Sequence, residues 1–202
     1  MRQEFYRKYV FLISTDSVEE CHCLQTVFIM KKRLEVPFDR EELIKLKAGD
    51  TVVLSGTLLV ARDAAHKRFF ETLQRGEELP VLLEGETIYY MGPTHARPGK
   101  VTGSAGPTTA GRMDKYTPEL LDLGLCAMIG KGRRSEEVYK AIERNNAVYF
   151  AAVGGAGAYL SRCIKSSEMV AYEDLGPEAV RRLTVEDFPV IVVADAVGGR
   201  IY

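Results

Sequence analysis

At 202 residues, 46% of them hydrophobic and 27% charged with a formal net charge of -1, the chain is long enough to bury a core and too evenly charged to carry a nucleic-acid footprint. No apolar run approaches the roughly 18 to 20 residues of a membrane span. The N-terminus, MRQEFYRKYVFLISTD, lacks both a long apolar h-region and a small-residue cleavage site, and four cysteines (Cys21, Cys23, Cys126, Cys163) are too few for a disulfide scaffold, so a cytoplasmic protein is expected.

The first thirty-odd residues stand apart. KYVFLIS is strand-like, ECHCLQTVFIM is mixed, and Met30 directly precedes the basic cluster Lys31, Lys32, Arg33. Residues 1–33 are therefore set aside as an N-terminal extension, with 34–202 as the folded domain, and residues 1–29 are open to being the product of an upstream start codon. From residue 34, DREELIKLKAG reads as a short helix capped by Asp39 with Glu42 as its capping-box partner, followed by the β-branched strand DTVVLSGTLLVA. RDAAHKRFFETLQRG reads as an amphipathic helix closed by Gly76, with Asp63 as its cap, and ETIYYMG as a strand. A long Gly/Pro-rich loop, PTHARPGKVTGSAGP, then leads to GPTTAGRMD. TPELLDLG reads as a helix with Thr117 as N-cap and Pro118 at its first position, LCAMIG as a buried strand, SEEVYKAIERNN as a helix capped by Ser135, and AVYFAAVGG as a strand. The close is read as strand EMVAY, helix PEAVRRL, strand PVIVVAD and a terminal hairpin through GG. This alternation predicts an α/β fold.

Three strand-to-helix junctions carry the chemistry. Thr108 and Arg112 are four residues apart, so on one helix face they would offer a hydroxyl and a bidentate guanidinium to one anion; an ordinary capped helix accounts for them equally well. Lys131 follows LCAMIG at the carboxyl end of a strand, where α/β proteins gather ligands, although a solvated basic loop is the simpler account. Arg62 also projects from a strand's carboxyl end. His66 is expected to hydrogen-bond within the first turn of its helix rather than to act as an acid or base. Gly154-Gly155-Ala156-Gly157 lacks the dinucleotide-binding spacing and reads as a tight turn. Cys21-His22-Cys23 has no second ligand pair, Cys126 and Cys163 read as small buried residues, and Glu19-Glu20 as a solvated face. Arg62, Thr108, Thr109, Arg112 and Lys131 thus make three cations and two hydroxyls, half a site for a di-anion.

Those same stretches, LSGTLLVARDAAHKR, GPTTAGRMD, KGRRS and VEDFPVIVVAD, closely resemble the C-terminal or beta-subunit domain of the class I iron-sulfur hydro-lyases, the class I fumarases and L-tartrate dehydratases. The resemblance runs from about residue 34 to the C-terminus. It implies a swivelling β/β/α domain packing over an alpha part that holds a 4Fe-4S cluster through cysteines, and a dicarboxylate substrate. By motif position it implies substrate-carboxylate contacts at Arg62, Arg112 and Lys131, the catalytic base at Thr108, and a binding role for Thr109. It points first to fumarate hydratase, with tartrate dehydratase as the near alternative and a non-catalytic dicarboxylate-binding module as another. One departure is visible: where the family usually has asparagine in the lysine loop, this chain has Arg133.

Overall fold

In the computed structural model, residues 32–94, 96, 98–153 and 155–201 are described, all within the unit Lys31–Tyr202. The Cys21-His22-Cys23 and Glu19-Glu20 readings, and those on residues 1–29, lie outside them. Seven strands form one sheet: β1 (Lys32–Val36), β2 (Thr51–Val60), β3 (Thr87–Tyr89), β4 (Ala127–Gly130), β5 (Val148–Ala151), β6 (Ile164–Ala171) and β7 (Val180–Ala194). The helices are α1 (Arg40–Ile44), α2 (Asp63–Gln74), α3 (Thr117–Asp122), α4 (Glu136–Arg144) and α5 (Gly157–Cys163), with 3-10 turns at Ala110–Met113 and Glu173–Glu178. The fold is a mixed α/β sheet with flanking helices.

β2, β3, β4 and β5 run parallel in that order, as expected for strands joined through helical crossovers. β7 runs antiparallel to both β5 and β2, so the pairings β2–β3–β4–β5–β7–β2 return on themselves as a ring. β1 adds to β2 and β6 to β7 outside that circuit. Side chains alternate with the strand period. Leu58, Val60, Tyr89, Ile129, Phe150, Val190 and Val192 fill one core on the inward face, while Leu59, Ile88, Tyr90, Met128 and Tyr149 pack against α2, α3 and α4 in a second.

Local signals explain most elements. Asp39 accepts a hydrogen bond from Glu41 N at 3.0 Å, and Ser135 accepts one from Val138 N at 3.4 Å. Three expectations are corrected. Arg62 holds the N-cap position of α2 and Asp63 its first turn, so Asp63 is not the cap. Tyr116 precedes α3, placing Thr117 inside the helix with its hydroxyl donating to Met113 O at 2.9 Å; Pro118 follows at the second position. PEAVRRL is not a helix: from Val180 onward it is the start of β7, pinned between β2 and β6. Two ladders satisfy the backbone there, and pairing on both sides outweighs the helical propensity of the segment.

The parallel pairing of β1 with β2 ends at Val36 and Gly56. Gly56 has φ of 116°, and a Cβ there would overlap the Val36 carbonyl oxygen. Gly56→Ala is expected to lower stability by at least about 2 kcal/mol, read as a fall in the urea midpoint.

Candidate functional site

The carboxyl ends of β2, β3 and β4 lie side by side and carry the predicted residues. Arg62 leaves β2, and its guanidinium lies over Gly92 just beyond β3, where any Cβ would overlap Nη1. The segment after the long loop crosses these ends: Thr108 N donates to Tyr90 O at 2.7 Å, and Lys131 N donates to Thr108 O at 3.1 Å. Ala110 N in turn donates to Lys131 O at 2.9 Å, so Thr109 and Lys131 form a bridge of their own. Below them, Tyr89 donates from its hydroxyl to Ala105 O and anchors the approaching loop.

Thr108 and Arg112 do meet, though not on one helix face. The 3-10 turn begins at Ala110, and Arg112 Nη1 reaches back to Thr108 Oγ1 at 3.5 Å, a long contact. Lys131 and Thr109 are exposed. The Lys131 ammonium has no ion pair among the described residues. The structure therefore brings Arg62, Thr108, Thr109, Arg112 and the Lys131 backbone to one rim.

The cations are not bare. Arg112 Nη2 lies 2.8 Å from Asp63 Oδ2, while Arg62 Nη2 lies 3.4 Å from Glu178 Oε1 and 3.8 Å from the same Asp63 oxygen. Glu178 Oε2 also accepts from Ala64 N at 2.8 Å, so one carboxylate holds both an arginine and the first turn of α2. Asp63 Oδ2 is buried without an aligned hydrogen bond, which makes its 2.8 Å approach to Arg112 a charge contact. Arg62 Nε is likewise buried with no acceptor among the described residues. Sequence reasoning missed Asp63 and Glu178 as partners. Adjacency to Arg62 was the only signal for the first, and nothing in the sequence pointed to the second, 116 residues away from Arg62 in sequence.

Arg134 belongs to the basic lysine loop, yet its side chain is fully buried. Its Nε donates to Asp114 Oδ1 at 2.6 Å and its Nη2 to Thr117 Oγ1 at 2.7 Å, and the guanidinium packs near the faces of Tyr90 and Tyr149. The other Asp114 oxygen accepts from Ser135 N at 2.6 Å. This network joins the end of the Arg112 turn to the start of α4, and so fixes the α4 end of the lysine loop.

His66 behaves as expected of a local structural histidine. Its ring packs against Tyr90 and Phe69, and Nδ1–H donates to Arg62 O at 2.8 Å, since a carbonyl can only accept. Burial pulls its pKa down to about 4, against the opposing bond to the Arg62 carbonyl and with help from the Arg134 charge. Cys126 and Cys163 are buried on the inward face, their thiols pushed up by burial. No group of three or more His, Cys, Asp or Glu among the described residues is arranged to hold a metal, and these two thiols do not fit an iron-sulfur cluster. No helix among the described residues is long and apolar enough to cross a membrane.

Fold and rim together define a mixed α/β domain that presents two guanidiniums and two hydroxyls, beside the loop that carries Lys131, at the carboxyl ends of parallel strands, the place where such sheets bind ligands. The sequence profile described as Fumarase C-terminus matches residues 14–202, and the chain belongs to that family. It is 40% identical over 181 residues to fumarate hydratase 2 of Leishmania major and 41% identical over 163 residues to the aerobic class I fumarate hydratase of Escherichia coli. Those matches cover 86% and 80% of this chain but 31% and 30% of the relatives, so the chain spans about a third of their length. A Methanocaldococcus jannaschii chain provisionally named L(+)-tartrate dehydratase subunit beta is 39% identical over 169 residues, covering 81% of this chain and 87% of that one.

Two outcomes are expected. Arg134→Met should cost about 3–5 kcal/mol of unfolding free energy because it strands a carboxylate. Asp114→Asn should also destabilise, and in urea titrations the double variant should lose less than the sum, since both changes remove one shared pair. The depressed His66 pKa contributes stability that is fully present above pH 6.5 and lost as pH falls toward 4, about 3 kcal/mol in all. Urea midpoints measured between pH 6.5 and 4.5 should therefore fall less steeply for His66→Gln than for the parent.

Proposed function

We propose that this chain is the beta component of a cytoplasmic iron-sulfur hydro-lyase, most simply a class I fumarate hydratase interconverting L-malate with fumarate and water. The 4Fe-4S cluster would be held by a separate alpha chain over which this domain packs as a swivelling β/β/α unit. What carries the reading is the rim, where Arg62, Arg112 and Lys131 stand beside Thr108 on adjoining strand ends. The near-complete coverage of a provisionally named beta subunit supports the two-chain arrangement, and membership in the fumarase family supports the chemistry.

The residues of this chain suit the proton-transfer half of such a reaction. Removing a proton next to a carboxylate builds a second negative charge on that carboxylate, and a guanidinium already in place stabilises it without reorganisation. Arg62 and Arg112 would grip one carboxylate each or share one, with Lys131 adding a charge from its loop and Thr109 a hydroxyl. Arg62 Nε, buried without an acceptor, is a donor that a substrate oxygen would satisfy. Thr108 would take the proton. A free threonine hydroxyl is far too weak an acid to exist as alkoxide, so the Arg112 contact at 3.5 Å would have to shorten when substrate binds. Backbone bonds on both sides of Thr108 hold its Cα while the side chain does so.

Mixing is the test. The chain alone, a cluster-loaded alpha partner alone and the two together are assayed anaerobically with L-malate and L-tartrate. Turnover should appear only in the mixture, with malate faster, and Arg112→Ala should reduce it by at least about 100-fold without loss of the complex on gel filtration. Tartrate as the faster substrate would make this a tartrate dehydratase beta subunit. A stable complex inert to both would favour a dicarboxylate-binding module.

A further inference from the structure

We propose that Asp63 is a positioning residue of this site: its carboxylate holds Arg112 toward Thr108 and withholds it from anions other than the substrate. The inference rests on the hydro-lyase reading and extends it to a residue that carries no assigned role.

Three observations converge on Asp63. Its Oδ2 lies 2.8 Å from Arg112 Nη2, while the other terminal nitrogen of that guanidinium faces Thr108. Arg112 stands on a four-residue 3-10 turn with its side chain half exposed, and apart from the long Thr108 contact, Asp63 is what orients it among the described residues. An exposed arginine samples many rotamers, and an anion fixed at one end of its fork selects the few that present the other end to Thr108. Secondly, the same Asp63 oxygen lies 3.8 Å from Arg62 Nη2, so one carboxylate sets the spacing of both guanidiniums. Thirdly, that oxygen is buried and accepts no aligned hydrogen bond, although Asp63 is not the cap of α2. A carboxylate bound only for fold stability would be expected to fill its lone pairs from the adjacent free N–H groups of the helix, and here Glu178 takes Ala64 N instead.

Charge completes the case. Against Arg62, Arg112 and Lys131 stand Asp63 and Glu178, leaving the rim one positive charge rather than three. A single stray anion gains little there, whereas a dicarboxylate can engage both guanidiniums at once while Asp63 keeps its hold on Arg112 Nη2. Removing the Asp63 charge should therefore tighten dicarboxylate binding while slowing the reaction.

The test uses Asp63→Asn and Asp63→Glu in the complex with the alpha partner, with L-malate as substrate and succinate as an unreactive dicarboxylate. For Asp63→Asn, kcat should fall about 10- to 100-fold, as a misaimed catalytic group would produce, while the succinate inhibition constant drops several-fold. Asp63→Glu, which keeps the charge, should recover part of kcat. Parental kcat in Asp63→Asn, or loss of kcat together with weaker succinate binding, would overturn the proposal. Should the parental complex turn over neither malate nor tartrate, the hydro-lyase reading fails and calorimetry of succinate with this chain alone decides on Asp63. Tighter binding by Asp63→Asn then supports the proposal, and unchanged or weaker binding refutes it.

Discussion

A guanidinium out of reach of water must have a carboxylate against it, and the Arg134–Asp114 pair meets that demand in the one place where the chain most needs a fixed joint. On one side of the pair lies the turn that carries Arg112, and on the other the loop that carries Lys131. Thr117, Ser135, Tyr90 and Tyr149 all contact one or other partner, so α3, α4, β3 and β5 meet at this point. Because each hydrogen bond in the set uses a buried donor or acceptor, no element can shift without stranding one. The rim inherits its rigidity from this joint, and the exposed side chains above it are left as the adjustable part.

Ring closure does the complementary work below. β7 runs through fifteen residues and pairs with three different strands, which ties the last segment of the sequence to β2 along its whole length, to β5 and to β6. Parallel strands β2 to β5 alone would leave two open edges. With β7 across both, the inward face becomes a closed core, and the long loop that delivers Thr108 rests on its mouth through Tyr89 and Ala105.

Much of this was legible in the sequence where the cause is local. Asp39 and Ser135 cap because a short side-chain oxygen reaches the first-turn amides from its own position, and the β-branched run of β2 has few alternatives to a strand. His66 bonds to the carbonyl four residues before it, as its place on the first helical turn suggested. The family was legible too, because several of its motifs recur in order along one chain. What was hidden depends on distant segments. PEAVRRL has apolar residues at helical spacing and becomes strand only because β2 and β6 offer ladders on both sides. Arg134 and Arg133 are neighbours of identical type, and nothing local says which one enters the core. Asp63 looked like a helix cap, and its engagement with Arg112 exists only once the segment from the long loop has been laid across the sheet.

Gly92 adds a point about inheritance. The Arg62 guanidinium occupies the space a side chain at position 92 would need, so the two residues share one volume. A side chain at 92 would push that terminal group aside, so a relative with a larger residue there would have to aim its arginine from a different rotamer.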